Sequence, residues 1–249
     1  MNLEKYQQYS RIARGLEKAD LVLKDARIVN VFTEEIIRGD IAIQDGIIAG
    51  IGSFHGKEER DLAGRYVCPG FIDSHLHLES TLVTPAELVT VASRHGTTTF
   101  IVDPHESANV SGLAGIDYIL DQTEDVKANV YVMMPSCVPA TAIDDNGCTL
   151  TAEDMAPYLH NSRILGLGEV MDSISVVQGE KSMHDKLELF EGRIRDGHAP
   201  FLEEGDLQAY AMAGIATDHE CSFFDYAMRE RRNGLTILVR EGTAARNPE

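Results

Sequence analysis

Two histidines one residue apart, His75 and His77, close the run Pro69-Gly70-Phe71-Ile72-Asp73-Ser74-His75-Leu76-His77. Side chains of a β-strand alternate faces, so if the apolar run is a strand both imidazoles point the same way and can grip one metal ion. The Pro-Gly turn signal before the run and the polar pair at its end suit a strand that delivers ligands at its carboxyl end. A metal held there would do hydrolytic chemistry, by activating water. The bland alternative is a histidine pair merely exposed at a strand end.

Further polar residues recur after later apolar runs. Asp103, His105 and Glu106 follow Thr97 to Val102, and Glu169 follows Ile164-Leu165-Gly166-Leu167-Gly168. His198 lies in Asp196-Gly197-His198-Ala199-Pro200, and His219 in Thr217-Asp218-His219-Glu220. Singly, Glu169 reads equally as a solvated loop acid, and His198 and His219 as capping or satisfied loop histidines. Their joint recurrence argues for one site, and imidazole with carboxylate suits zinc, manganese or iron, a carboxylate between two ions being able to bridge them. Asp103, His105 and Glu106 are read as facing substrate or lying behind the ligands, and His55, His95, His160 and His184 as structural or exposed.

The elements that must position these groups fall into three stretches. Residues 1–18 have a modest helical spacing of Leu3, Tyr6, Ile12 and Leu16 that ends near Gly15, and are expected to form a docking helix. Residues 19–66 are expected to be the first part of a small β domain, with short apolar runs at Leu21 to Leu23, Arg27 to Val31, Asp40 to Ile43 and Ile47 to Ile51, and a hairpin signal at Asp45-Gly46. Residues 67–249 alternate apolar strands with helix-length segments such as Pro85 to His95 and Ser111 to Thr123, as βα units require. The expected strands are Gly70 to Ser74, Thr97 to Val102, Asn129 to Met134, Arg163 to Gly168, a short one before His198, Gly214 to Thr217, and Leu235 to Val239. No glycine-rich phosphate loop opens a helix, and the polar residues collect just after strands, which favours a closed-barrel winding over a doubly wound sheet.

Composition sets outer limits. The 43% hydrophobic and 25% charged fractions are those of an ordinary globular chain. A formal charge of −18 argues against nucleic acid or an anionic membrane as partner, since phosphate binding needs clustered Lys and Arg. Cys68, Cys137, Cys148 and Cys221 form no Cys-x-x-Cys pair, so neither a zinc ribbon nor a dithiol redox motif is indicated, and a reduced, cytoplasmic setting is expected. The opening Met1-Asn2-Leu3-Glu4-Lys5 lacks a basic stretch followed by an apolar run, so no export leader is expected.

On these motifs the chain resembles the amidohydrolase superfamily, and within it the bacterial-type adenine deaminases. The resemblance rests on Pro69 to Ser80, on Val102-Asp103-Pro104-His105-Glu106-Ser107-Ala108-Asn109-Val110, on Gly166-Leu167-Gly168-Glu169-Val170-Met171, on Asp196 to Pro200, and on Thr217-Asp218-His219-Glu220-Cys221. It implies an α/β fold, a (β/α)8 TIM-type barrel preceded by a small β-sandwich portion. It also implies a binuclear divalent metal site with His75 and His77 on one ion, His198 and His219 on the other, and Glu169 between them, holding manganese or iron, with zinc as the other option. The implied reaction is the hydrolysis of adenine to hypoxanthine and ammonia through a metal-activated hydroxide, a step of purine salvage. Relatives acting on hydantoins or dihydroorotate generally carry a carboxylated lysine where this chain has Glu169.

Two departures accompany the resemblance. The family's last barrel strand supplies an aspartate that binds metal and handles the water's proton, whereas the 181 residues from Pro69 to Glu249 suffice for about six βα units. The expectation is therefore a partial barrel, truncated at its C-terminal end and with little activity alone, that a second copy or a completing chain covers; Glu106 and Glu220 stand in as proton-shuttle candidates. The second departure is Phe201-Leu202, where the family usually has a Gly-Leu step. The competing functions are hydrolysis of another cyclic amide, as in hydantoinases and dihydroorotases, and a non-catalytic metal-binding remnant.

Overall fold

The computed structural model describes residues 1–141, 143–242 and 246. They divide into two compact units, Met1–Pro69 and Gly70–Glu249. In the first, the helix Leu3–Ala13 starts at Asn2, whose side-chain oxygen accepts the Lys5 N–H at 2.9 Å, and ends before Gly15 at φ +71°. Five strands follow: β1 Ala19–Asn30, β2 Glu35–Gln44, β3 Ile47–Gly52, β4 Gly56–Asp61 and β5 Tyr66–Val67. They form one sheet in the order β3-β2-β1-β4, with β5 also on β1. Asp45 and Gly46 turn β2 into β3 at φ 51° and 75°, the paired positive values that a two-residue hairpin needs to match strand twist. The two expected runs Leu21 to Leu23 and Arg27 to Val31 merge into β1, whose pairing with β2 shifts register between Leu23 and Ala26. The helix buries Ile12 against Ala19, Val22, Ala42 and Phe54.

The second unit is built from parallel strands: β6 Phe71–Leu76, β7 Thr97–Val102, β8 Asn129–Met134, β9 Ile164–Val170 and β10 Ile194–Gly197. They pair in the order β10-β9-β8-β7-β6, each strand beside the one before it in the chain. A doubly wound sheet would reverse that order partway, so this is the winding of a partial barrel. Two short strands, β11 Thr217–Asp218 and β12 Thr236–Ile237, pair with each other in parallel. The Ala216 N–H donates to the Arg195 carbonyl at 3.0 Å, which sets β11 beside β10. The helices Pro85–Ser93, Leu113–Gln122, Lys181–Leu189 and Glu204–Met212 supply Val89, Ile116, Ile119, Leu187 and Tyr210 to a core they share with Phe100, Val130, Val132, Ile164 and Leu167 of the strands. The expected helix over Ser111 to Thr123 forms as Leu113–Gln122, and Gly112, at φ 63°, separates it from the preceding helix His105–Ser111. Among the described residues no helix is long and apolar enough to cross a membrane.

One buried acid supports the far end of this unit. The helix Phe224–Arg232 carries Glu230, which is fully buried close to Asp218. Asp218 receives the backbone N–H groups of Ala199, Glu220 and Cys221 at 2.6, 2.9 and 2.9 Å, and so serves as the anion of the pair. Burial, with the Asp218 charge adding to it, pushes the Glu230 carboxyl up to about 8. A folded-state value above the unfolded one means that stability is lost as pH climbs from the ordinary glutamate value towards 8. Glu230→Gln is therefore expected to melt close to the parent's temperature near pH 4.5 and on the order of 10 °C above it at pH 8. Melting curves of the two proteins across that range test this.

Candidate metal centre

The site collects at the carboxyl ends of consecutive parallel strands. The end of β6 brings His75 and, just past it, His77; β9 brings Glu169; and the turns after β10 and β11 bring His198 and His219. These are the five residues that the sequence motifs single out as ligand candidates, and the fold converges them from 145 positions of chain. Strand alternation acts as expected at His75 and His77, whose Nε2 atoms stand 3.2 Å apart.

Glu169 lies at the centre and is almost wholly buried. Its Oε1 is 2.8 Å from His75 Nε2 and 2.9 Å from His77 Nε2. Its Oε2 is 2.9 Å from His198 Nδ1 and 3.6 Å from His219 Nε2. Each oxygen of one carboxylate thus faces a pair of imidazoles. The rings pack closely as well, His75 stacking on His219 at 3.8 Å between centroids.

The tautomers show what this arrangement requires. His77 Nδ1 donates to the Asp103 carbonyl at 2.8 Å, and His75 Nδ1 lies 2.8 Å from the Asp196 carboxylate. Both neighbours accept, so in the neutral rings the protons sit on Nδ1 and the lone pairs on Nε2. Two lone pairs and a carboxylate oxygen then point at one spot, which is repulsive unless a cation lies among them. In proton terms, burial works against a charge on these rings, yet the Asp196 and Glu169 carboxylates outweigh it for His75, raised to about 10, and Glu169 does so for His77, raised to about 9. Burial likewise works to raise the Glu169 carboxyl, but the four facing imidazoles hold it well below the usual carboxylate range. A divalent ion meets the same demand by taking the lone pairs. Four imidazoles grouped two and two about one carboxylate therefore fit a pair of divalent cations.

A surrounding layer fixes these side chains. The Glu169 N–H donates to Asp103 Oδ2 at 2.7 Å, and the Ser136 hydroxyl donates to the Glu169 carbonyl. The Lys186 ammonium, itself buried, donates to the Ser136 carbonyl at 2.7 Å. Asp196 Oδ1 accepts from the Thr217 hydroxyl and from the Gly197 N–H, which leaves Oδ2 aimed at His75. Asp196 and Ser136 are not among the candidates drawn from the sequence. Asp196 stands two residues before His198 in a quoted motif, and that adjacency is its sequence signal; Ser136 has none beyond following a strand. Asp103 and His105 sit beside the centre, His105 Nδ1 lying 3.6 Å from Asp103 and 3.9 Å from Glu169.

The two proton-shuttle candidates differ. Glu220 Oε1 is 3.7 Å from His219 Nε2 and forms an ion pair with Arg240. Glu106 is exposed and binds the Ser80 hydroxyl on the helix His105–Ser111, with no contact to the four imidazoles described. Of the remaining histidines, His184 bonds the Val176 carbonyl at 2.9 Å and His55 lies on the surface beside Glu59.

Comparison with known proteins meets this geometry. The family model described as "Amidohydrolase family" matches residues 66–243. The chain is 57% identical over 247 residues to the adenine deaminase of Desulfitobacterium hafniense (strain Y51), which covers 99% of this chain and 43% of that protein. It is 48% identical over 237 residues to the adenine deaminase of Clostridium acetobutylicum, covering 94% of this chain and 42% of the relative. The chain thus spans less than half the length of these curated relatives. Among solved structures, 5-methylcytosine deaminase from Klebsiella pneumoniae superposes with a TM-score of 0.54 at 15% identity, covering 87% of this chain and 64% of that one, a likeness of fold alone.

Close packing behind the carboxylate yields a test. A Cβ on Gly168 would fall well inside contact distance of the Asp103 carboxylate, the group that holds the Glu169 N–H. Gly168→Ala is expected to destabilise the protein by on the order of 1–3 kcal/mol and to weaken retention of Mn(II), seen as a lower denaturation midpoint and a lower bound-metal ratio after dialysis. Since the matched segment takes in every strand of the β6 to β10 sheet and all five converging residues, the chain belongs to the amidohydrolase family.

Proposed function

We propose that this chain carries the metal-holding part of an adenine deaminase, which hydrolyses adenine to hypoxanthine and ammonia in a cytoplasmic purine-salvage role. The observation that carries the reading is the Glu169 carboxylate with a histidine pair at each oxygen, in a chain 57% identical to a relative named adenine deaminase. In this assignment His75 and His77 hold one cation, His198 and His219 the other, and Glu169 spans them, with manganese or iron bound and zinc as the third option. Bound there, such ions would supply Lewis acidity, lowering the pKa of a water and polarising the group under attack.

The chain's own residues supply the remainder. Asp196 and the Asp103 carbonyl keep the Nε2 lone pairs of His75 and His77 aimed inward, and Asp103 with Ser136 clamps the backbone at Glu169. In the net reaction a C6–O bond forms from water, the C6–N bond to the exocyclic amine breaks, and the amine leaves with an added proton. A group beside the centre must take a proton from water and pass it on. Glu220, near His219 and paired with Arg240, is our choice over the exposed Glu106.

The test is release of hypoxanthine and ammonia in equal amounts from adenine by the Mn(II)-loaded chain, checked for folding by circular dichroism. Because the chain is expected to have little activity alone, the first readout is metal: we expect His75→Ala/His77→Ala to lose about half or more of the bound Mn(II) after dialysis and to abolish any ammonia release that the parent shows. Turnover of hydantoin or dihydroorotate with none of adenine would overturn the assignment, and so would a folded, metal-loaded protein that neither binds adenine nor turns it over.

A further inference from the structure

One corner of the centre holds polar atoms that the four imidazoles about Glu169 do not account for. Asp103, just past β7, is 1% exposed, and its Oδ1 is buried with no hydrogen-bond partner. His105 Nδ1 is buried and unpartnered as well. It lies 3.6 Å from Asp103 Oδ1, too far for a hydrogen bond, and 3.9 Å from Glu169 Oε1. A buried carboxylate oxygen without a donor is costly, and a second buried carboxylate across the same imidazole adds repulsion. A proton on Nδ1 would hydrogen-bond to neither oxygen at these separations, whereas a cation between the three atoms would satisfy all of them.

The three groups are held in place by their neighbours. Asp103 Oδ2 accepts the Glu169 N–H at 2.7 Å, and the Asp103 N–H donates to the Leu76 carbonyl at 3.0 Å. His105 opens the helix His105–Ser111, whose Glu106 and Ser107 N–H groups donate to Glu79 Oε1 at 3.2 and 3.3 Å. The His105 ring meets the His77 ring edge to face, at 4.7 Å between centroids. Since Asp103 and Glu169 are both almost wholly buried, this corner is enclosed by the chain's own residues.

One donor atom from each of Asp103, His105 and Glu169 lies within 4.8 Å of the other two. Donors about 2.1 Å from one cation stand about 3 to 4 Å apart, so a small inward movement completes coordination. We infer that Asp103, His105 and Glu169 hold a further divalent cation, beside the two assigned to Glu169 and the four imidazoles. One imidazole nitrogen with two carboxylate oxygens suits Mn(II), Fe(II) or Zn(II). The inference rests on the two-ion reading of the centre and not on adenine as substrate. Repulsion from the ion at His75 and His77, with which it shares Glu169, makes this cation the weakest held of the set.

The test counts metal on the full chain and needs no turnover. Apo protein is dialysed to equilibrium against excess Mn(II) for the parent, for His105→Phe, which keeps a ring against His77, and for His75→Ala/His77→Ala, with circular dichroism as control. The parent should hold about one Mn(II) more than His105→Phe, and should fall to that variant's content after dialysis against metal-free buffer. Adventitious binding to the acidic surface is common to both proteins and cancels. His105→Cys loaded with Co(II) should show a thiolate-to-cobalt absorption band that the parent and His105→Ser lack. If His105→Phe is unfolded, the cobalt band alone decides. Equal Mn(II) content in the parent and a folded His105→Phe, or a Co(II)-loaded His105→Cys without the band, overturns the further site and leaves the two-ion assignment standing. A folded parent that holds no more Mn(II) than His75→Ala/His77→Ala overturns both.

Discussion

Everything in the second unit answers to one buried carboxylate. Glu169 is almost inaccessible to water, and each of its oxygens meets two imidazoles. An anion in that position is tolerable only because positive charge, as protons or as metal, is shared among the facing rings. The consequence is architectural. Four histidines must arrive at one point from chain segments far apart, and a set of parallel strands with their carboxyl ends at one rim does this with short loops.

The support around the centre is as directional as the centre itself. Asp103 holds the Glu169 backbone through its side chain and the His77 ring through its carbonyl, so one residue fixes two elements of the site. Gly168 leaves the space into which Asp103 fits, which explains why the strand ending in Glu169 carries a glycine there. Asp196 and Asp218 do comparable work on the other side, one orienting His75 and the other tying the loops that bear His198 and His219. Acids in this chain therefore have two separate uses. Most contribute to the chain's formal charge of −18, while a few are buried, among them Asp196 and Asp218, each of which holds three polar groups.

Much of this was legible beforehand where a periodicity or a repeated placement carried it. The His-x-His spacing announced its own geometry, because strand side chains alternate. The recurrence of polar residues after apolar runs announced a common rim. The winding was legible too, from the alternation of strands with helix-length segments and the lack of a phosphate loop. Boundaries were less so: the helix expected from Ser111 starts after Gly112, and the runs at Gly214 and Leu235 shorten to β11 and β12. The two runs expected at Leu21 to Leu23 and Arg27 to Val31 join as β1 through an irregular step near Asp25, which no local pattern foretells.

By itself the sequence determined the kinds of donor available, the strand that places two of them together, and the family to which the motifs point, since these depend on residue type and on spacing within one element. The tertiary structure alone decided which oxygen of Glu169 faces which histidine pair, that Asp196 reaches back across 121 positions to orient His75, and that Glu106 stays outside the cluster while Glu220 lies beside it. Such pairings depend on distances of a few ångströms between segments remote in the chain. They follow from the packing of whole strands and helices, which no local run of residues encodes.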